Sequence, residues 1–285
     1  MFKKNYHTHT FRCNHAIGTD EEYVHEAIAG GFDTLGFSDH VMLPSFSEPN
    51  VRGEYIMSQD YYDSINKLKK IYKDRIEIFL GYEAEGFSYY FPYYKEILQA
   101  GIIDYLILGN HSMMDDHHQI IARFGQPTAS NMYAYKDTAI AALNTNMFSI
   151  FAHPDYFMAA VPVIDRDVIK VSKCLIEKSI SLGIPLEVNV AGLRNGKRRI
   201  GEIDRYIYPN KEFFKLAKKM GAQFTLGLDA HAPYQLNDDH ANSLAVRFVH
   251  ELDLPIIEDI EFRYLTADCK ICVKLQTDLT DNPHN

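Results

Sequence analysis

The stretch Asn5-Tyr6-His7-Thr8-His9 places two imidazoles two residues apart near the start of a 285-residue chain. In an extended strand, side chains at i and i+2 leave the same face, so His7 and His9 can share one metal ion. Six further short runs have the character of that first one: residues 34–39 (TLGFSD), 76–83 (IEIFLGYE), 105–110 (YLILGN), 148–152 (FSIFA), 185–190 (PLEVNV) and 223–229 (QFTLGLD). Each is brief and mostly apolar or β-branched, as a strand buried on both faces should be.

Helical stretches with readable ends lie between the runs. Thr19 and Glu22 form a capping box, with Gly30-Gly31 as the stop, and Ser58 opens a stretch with Tyr62, Ile65, Leu68 and Ile71 on one face. Residues 165–183 make a long helix, and Pro209 sits near the first turn of another that carries Phe213, Phe214, Leu216 and Ala217 and ends at Gly221. Strand–helix alternation repeated about seven times closes most simply into an α/β barrel, a single domain over residues 1–265. Residues 266–285 are polar and patternless, and are read as a tail without a packed core. Their Cys269 and Cys272 have C-x-x-C spacing but lack the further ligands of a closed zinc site.

Composition narrows the partners. Lys and Arg number 29 against 38 Asp and Glu, a net charge of −9, which argues against nucleic acid or an anionic membrane as the main partner. Hydrophobic residues at 46% and charged residues at 24% exclude wholesale disorder and fibrous repeats. The N-terminus lacks the apolar core of a signal peptide, and no window approaches the roughly 18 apolar residues of a membrane helix. The four scattered cysteines fit a reducing compartment. A soluble, cytoplasmic protein is expected.

The thirteen histidines carry the chemistry. His15 lies in the loop after the first run, His40 follows the second, Glu83 ends the third, His111 follows the fourth, His153 follows the fifth, and Asp229 with His231 ends the seventh. A barrel enzyme builds its active site at these C-terminal strand ends. A single histidine there is ordinarily a polar residue at the rim of the core, but a rim crowded with unpaired imidazoles is costly to desolvate unless cations occupy it. His25, His117, His118, His240, His250 and His284 fall on helix or loop positions and are read as structural. Imidazole and carboxylate donors without thiolate suit Zn, Mn or Fe.

The ordered series HTH at 7–9 with His15, SDH at 38–40, GYE at 81–83, NHS at 110–112, AHP at 152–154 and DAH at 229–231 resembles the polymerase and histidinol phosphatase (PHP) family. EVNVAGLR at 187–194, Tyr208-Pro209 and SDHVMLP at 38–44 are most similar to its histidinol-phosphate phosphatases. Met42 stands where that pattern has proline, and the insert at residues 195–205 is longer than usual. The resemblance implies a distorted (β/α)7 barrel with three divalent ions. His7, His9, Glu83 and Asp229 would hold the first, Glu83, His111 and His153 the second, and His15, His40 and His231 the third. Six added positive charges would take −9 to about −3 and leave a positive pocket that selects a small phosphate ester.

The expected reaction is hydrolysis of L-histidinol phosphate by a hydroxide held between two ions, with Glu83, Asp229 and His231 as catalytic residues. His231, Asp229 or Glu85 would protonate the leaving group. Arg194 is expected to grip the phosphate through its guanidinium fork, the bland alternative being a solvated loop arginine. Lys197, Arg198 and Arg199 read as a solvated loop. Glu85, Glu187 and Asn189 are candidate acceptors for the substrate amine and imidazole, or equally supports for the metal ligands. The alternatives are a PHP phosphoesterase acting on phosphotyrosine or short nucleotides, and a metal-binding regulatory module without catalysis.

Overall fold

Seven parallel strands build the frame that carries the site: β1 (Lys4–Asn5), β2 (Thr34–His40), β3 (Glu77–Ala84), β4 (Tyr105–Leu108), β5 (Ile150–Phe151), β6 (Leu186–Asn189) and β7 (Phe224–Gly227). They lie side by side in chain order in the computed structural model, which describes residues 2–125, 129–159 and 161–263. Every residue of β2, β4, β6 and β7 is buried, which is why these runs read as unbroken apolar stretches. The sheet curls until β1 and β7 nearly meet. The seam closes just above the two strands, where Thr8 bridges Ala230 and the His9 N–H donates to Ala230 O at 2.9 Å. Below it, Asn5 Oδ1 accepts from the Leu228 N–H at 2.9 Å. The molecule is therefore a single-domain, nearly closed seven-stranded barrel of the expected class.

Helices α1 (Asp20–Ala29), α2 (Ser58–Tyr72), α3 (Phe91–Gln99), α4 (Ala129–Asn144), α5 (Arg166–Leu182), α6 (Val190–Arg194) and α7 (Lys211–Met220) lie between successive strands, and α8 (Asp239–Leu252) follows β7. The Thr19–Glu22 capping box opens α1. Asp165 and Asn210 cap α5 and α7, and the left-handed Gly183 and Gly221 end them. Inside the lower barrel, Phe262 stacks on Tyr105 at 4.7 Å between ring centres and meets Phe79 edge-on at 4.8 Å. This plug closes the end opposite the functional rim.

Several expectations shift. β1 stops at Asn5, so His7 and His9 sit beyond it, on the extended segment that reaches across to β7. The buried face of α2 runs through Tyr61, Ile65, Leu68 and Tyr72, whereas Ile71 is 54% exposed. Tyr61 and Tyr72 are amphipathic enough to take the inner face, which displaces the stripe by about one residue. The insert is no shapeless loop: Lys197–Ile200 and Ile203–Tyr206 pair as an antiparallel hairpin with Lys197, Arg198 and Arg199 exposed. A second hairpin, Ser112–Met114 with Ile120–Arg123, projects from the end of β4. The tail at 266–285, with Cys269, Cys272 and His284, lies outside the described residues.

Candidate metal centre

The strand ends deliver their polar side chains to one point. His7 Nε2 and His9 Nε2 stand 3.2 Å apart, and Asp229 Oδ1 is 3.6 and 3.2 Å from them. Glu83 Oε2 lies 3.6 Å from His7 Nε2 and 3.5 Å from His9 Nε2. The other oxygen of Glu83 faces His153 Nε2 at 2.8 Å and His111 Nε2 at 3.5 Å. One carboxylate thus joins two donor groups. A third group gathers above: His15 Nε2 and His231 Nε2 are 3.0 Å apart, and His40 clusters with His9 and His231 while its Nδ1 lies 3.0 Å from Glu83 Oε2.

Tautomers decide whether cations fit. The His15 ring donates Nδ1–H to Cys13 O at 2.8 Å, and His231 donates Nδ1–H to Asp229 O at 3.2 Å, since a carbonyl can only accept. Burial lowers the pKa of both rings, His231 to about 3, so neither Nε2 carries a proton near neutrality. Two bare nitrogen lone pairs therefore face each other at 3.0 Å. That contact is repulsive alone and attractive around a shared cation. Donors bound at 2.0–2.1 Å in a tetrahedral shell stand roughly 3.3–3.4 Å apart, close to the spacings here. Asp229 Oδ1 is also buried without a hydrogen-bond partner. These residues fit divalent ions on donor chemistry and spacing.

The surrounding protein fixes those orientations. Glu187, 1% exposed, accepts from His7 Nδ1–H at 2.8 Å, while its other oxygen accepts from the His153 N–H at 3.1 Å and Asn189 Nδ2 at 2.9 Å. Asn189 also donates to Asp229 Oδ2 at 3.1 Å and caps α6. Glu85, equally buried, accepts from His111 Nδ1–H at 2.9 Å and from the His111 N–H at 2.8 Å. Glu85, Glu187 and Asn189 accordingly do not face the pocket as substrate acceptors. Their polar atoms are committed beneath the imidazoles, where carboxylates fix the tautomer. Glu85 is also out of place as a proton donor to a leaving group, and His231 has no Nε2 proton to give.

Glycine makes room for two of these carboxylates. A Cβ on Gly227 would lie 1.7 Å from Glu187 Oε1, and one on Gly109 would lie 2.1 Å from Glu83 Oε1. His153 and Asp229 hold left-handed backbones, φ 28° and 48°, a strain of order 1–3 kcal/mol each that marks a constrained site.

Opposing effects set the charge state of the metal-free cluster. Burial would depress His7, His9 and His111. Glu187, Asp229 and Glu83 outweigh it at His7, Asp229 and Asp39 raise His9 to about 9, and Glu83 and Glu85 raise His111 to about 9. Burial would raise Glu83 and Asp229, but the surrounding imidazoles hold both well below the carboxylate range. His40 is driven well down by burial.

The cluster floors a pocket of about 410 Å³. Arg194 lines it, 14% exposed, donating through Nη2 to Leu228 O at 3.0 Å and leaving Nε without a hydrogen-bond partner. Arg123 from the Ser112–Arg123 hairpin also lines it. Sequence reading missed Arg123 because the hairpin is too short to show alternation. It also passed over Arg52, which is fully buried and donates to Glu48 at 3.0 Å. A larger cavity of about 480 Å³ beside β1, β7 and α8 is lined mainly by apolar side chains and by no histidine.

Comparison with known proteins gives the family. A model of the PHP domain matches residues 5–191. The chain belongs to the PHP family. A protein of Deinococcus radiodurans named "Probable histidinol-phosphatase" is 25% identical over 242 residues, 84% of this chain and 90% of that one. One of the same name from Schizosaccharomyces pombe is 24% identical over 257 residues, 81% of each chain. The crystal structure of histidinol phosphate phosphatase from Lactococcus lactis, complexed with zinc, L-histidinol and phosphate, superposes with a TM-score of 0.66. It shares 18% identity and covers 91% of this chain and 98% of that one.

Proposed function

We propose that this protein is a cytoplasmic histidinol-phosphatase that hydrolyses L-histidinol phosphate to L-histidinol and phosphate, with three divalent ions of Zn, Mn or Fe as cofactors. His7, His9, Glu83 and Asp229 would hold the first ion, Glu83, His111 and His153 the second, and His15, His40 and His231 the third. The observation that carries the reading is the pair of unprotonated nitrogens on His15 and His231, 3.0 Å apart beside a carboxylate that reaches five other imidazoles. Bound divalent ions supply a water acidic enough to act as nucleophile near neutrality and neutralise phosphoryl oxygens. The chain's own residues prepare the rest. Glu187 and Glu85 hold the Nδ1–H of His7 and His111, so that Nε2 is the nitrogen each ring turns toward an ion and the one that gives up its proton on binding. Arg194, held by Leu228 and Gln235 with its Nε 3.6 Å from Asp238, would offer its remaining Nη hydrogens to the phosphoryl oxygens, and the rings of Tyr156 and Tyr208, packed 5.5 and 5.7 Å from that of His153, wall the pocket.

Support for histidinol phosphate over other monoesters comes from residues 187–194, from Tyr208-Pro209, and from the names of the full-length relatives. No helix among the described residues is long and apolar enough to cross a membrane. The discriminating experiment is a turnover panel of L-histidinol phosphate, phosphotyrosine and a dinucleotide on metal-loaded protein. The expected result is a kcat/KM highest for L-histidinol phosphate by at least about tenfold. A higher value for phosphotyrosine or the dinucleotide would transfer the assignment to that class.

A further inference from the structure

Arg123 lies outside every motif that marks the metal centre, yet the fold carries it to the same pocket. Its strand pairs with the segment after β4 so that Arg123 stands opposite Ser112, the residue that follows the ligand candidate His111. The register is pinned by the Phe124 N–H donating to His111 O at 2.8 Å. Placement of this guanidinium is thereby tied to the placement of an imidazole in the cluster.

The side chain is held but not used up. Arg123 Nη2 donates to Glu48 Oε1 at 2.6 Å, and its Nη1 lies 3.4 Å from Ser112 Oγ. Glu48 is shared, since its other oxygen accepts from the buried Arg52 at 3.0 Å, so one carboxylate stands between two guanidiniums. Arg123 remains 45% exposed, with N–H groups to spare.

Position across the pocket gives this a meaning. Arg123 comes from the β4 side, while Arg194 bonds to Leu228 and Gln235 on the β7 side. β4 and β7 are three places apart in a ring of seven, as far as the barrel allows. The only carboxylates lining the pocket among the described residues are Glu83 and Asp229, both inside the ligand cluster. The outer wall is therefore neutral or cationic, and an anion is what it can receive.

Resting on the phosphomonoester reading, we propose that Arg123 is a second phosphoryl-binding guanidinium, set by the hairpin opposite Arg194 and steadied by Glu48. It is a substrate-binding residue, and its part should appear in affinity for the phosphoryl group. The test is calorimetric titration of inorganic phosphate into metal-loaded protein, wild type against Arg123→Met, with metal content and KM and kcat for L-histidinol phosphate measured alongside. Expected are a roughly ten- to hundredfold loss of phosphate affinity, a matching rise in KM, kcat within about threefold, and unchanged metal content. Phosphate binding as tight in Arg123→Met as in wild type overturns the proposal. If that variant does not melt cooperatively, Arg123→Lys decides, because it keeps the charge and loses the fork. A loss of about threefold or more then supports the proposal, and unchanged affinity overturns it. Failure of the wild type to turn over L-histidinol phosphate would remove the substrate reading while the phosphate comparison still judged Arg123.

Discussion

Glu187→Gln is nearly isosteric, yet it cannot satisfy the positions Glu187 occupies. One carboxylate oxygen accepts from His7 Nδ1–H and the other accepts from both the His153 N–H and Asn189 Nδ2. A glutamine amide has one oxygen and one donor group, so whichever way it turns, an NH₂ faces a donor. If the oxygen keeps the His153 N–H and Asn189 Nδ2, His7 must lose its Nδ1–H partner or hold its last proton on Nε2, the nitrogen an ion would take. Loss of one such carboxylate–imidazole support costs metal affinity about ten- to a hundredfold. That factor corresponds to about 1.4 to 2.7 kcal/mol, in line with a hydrogen bond to a charged acceptor. The assay is competition for Zn²⁺ against a chromophoric chelator, using stripped wild-type and variant protein that melt alike. Metal affinity within twofold of wild type, with turnover of L-histidinol phosphate lowered relative to a simple phosphate ester, would refute the reasoning and place Glu187 against the substrate.

Two further outcomes are expected. His7, His9 and His111 carry raised pKa values in the metal-free protein, so loading ions at pH 7.5 should release roughly two to three protons. Calorimetry in buffers of different ionisation enthalpy reads this directly, and heats independent of buffer would contradict it. Asp155 is fully buried, and burial lifts its pKa to about 7 from 3.8, so the folded state retains a proton that the unfolded chain sheds between those values. Stability should consequently fall as pH rises through that window, by at most about 4 kcal/mol. Asp155→Asn, which removes the charge, should gain on wild type in denaturant midpoint at pH 8 relative to pH 5, and an equal offset at both would count against this.

Much of the frame was legible because a parallel barrel leaves a strong trace. Strands such as β4 and β7 are buried on all sides, so Tyr105–Leu108 and Phe224–Gly227 stand out as apolar runs, each followed within a few residues by its histidine or aspartate. The geometric convergence of His15, His40 and His231 follows from that placement. The roles of Glu85, Glu187 and Asn189 were not legible, because residue type and position leave open whether a side chain points into the pocket or under a ligand. Arg123 was hidden for a related reason: its strand, IIAR at 120–123, is too short to show a polar–apolar alternation, and only pairing across the hairpin brings it to His111. Ile71 shows the limit of periodicity, since tyrosines can take an inner helix face that aliphatic residues would otherwise claim.

The most direct measurement of the central claim is the rate of phosphate release from L-histidinol phosphate as chelator-stripped protein is titrated with Zn²⁺ or Mn²⁺. With the three sites built by His7 through His231, the rate should start near zero, rise with bound metal, and level off near three ions per chain. Full activity in the stripped protein, or a plateau at one ion per chain, would contradict it.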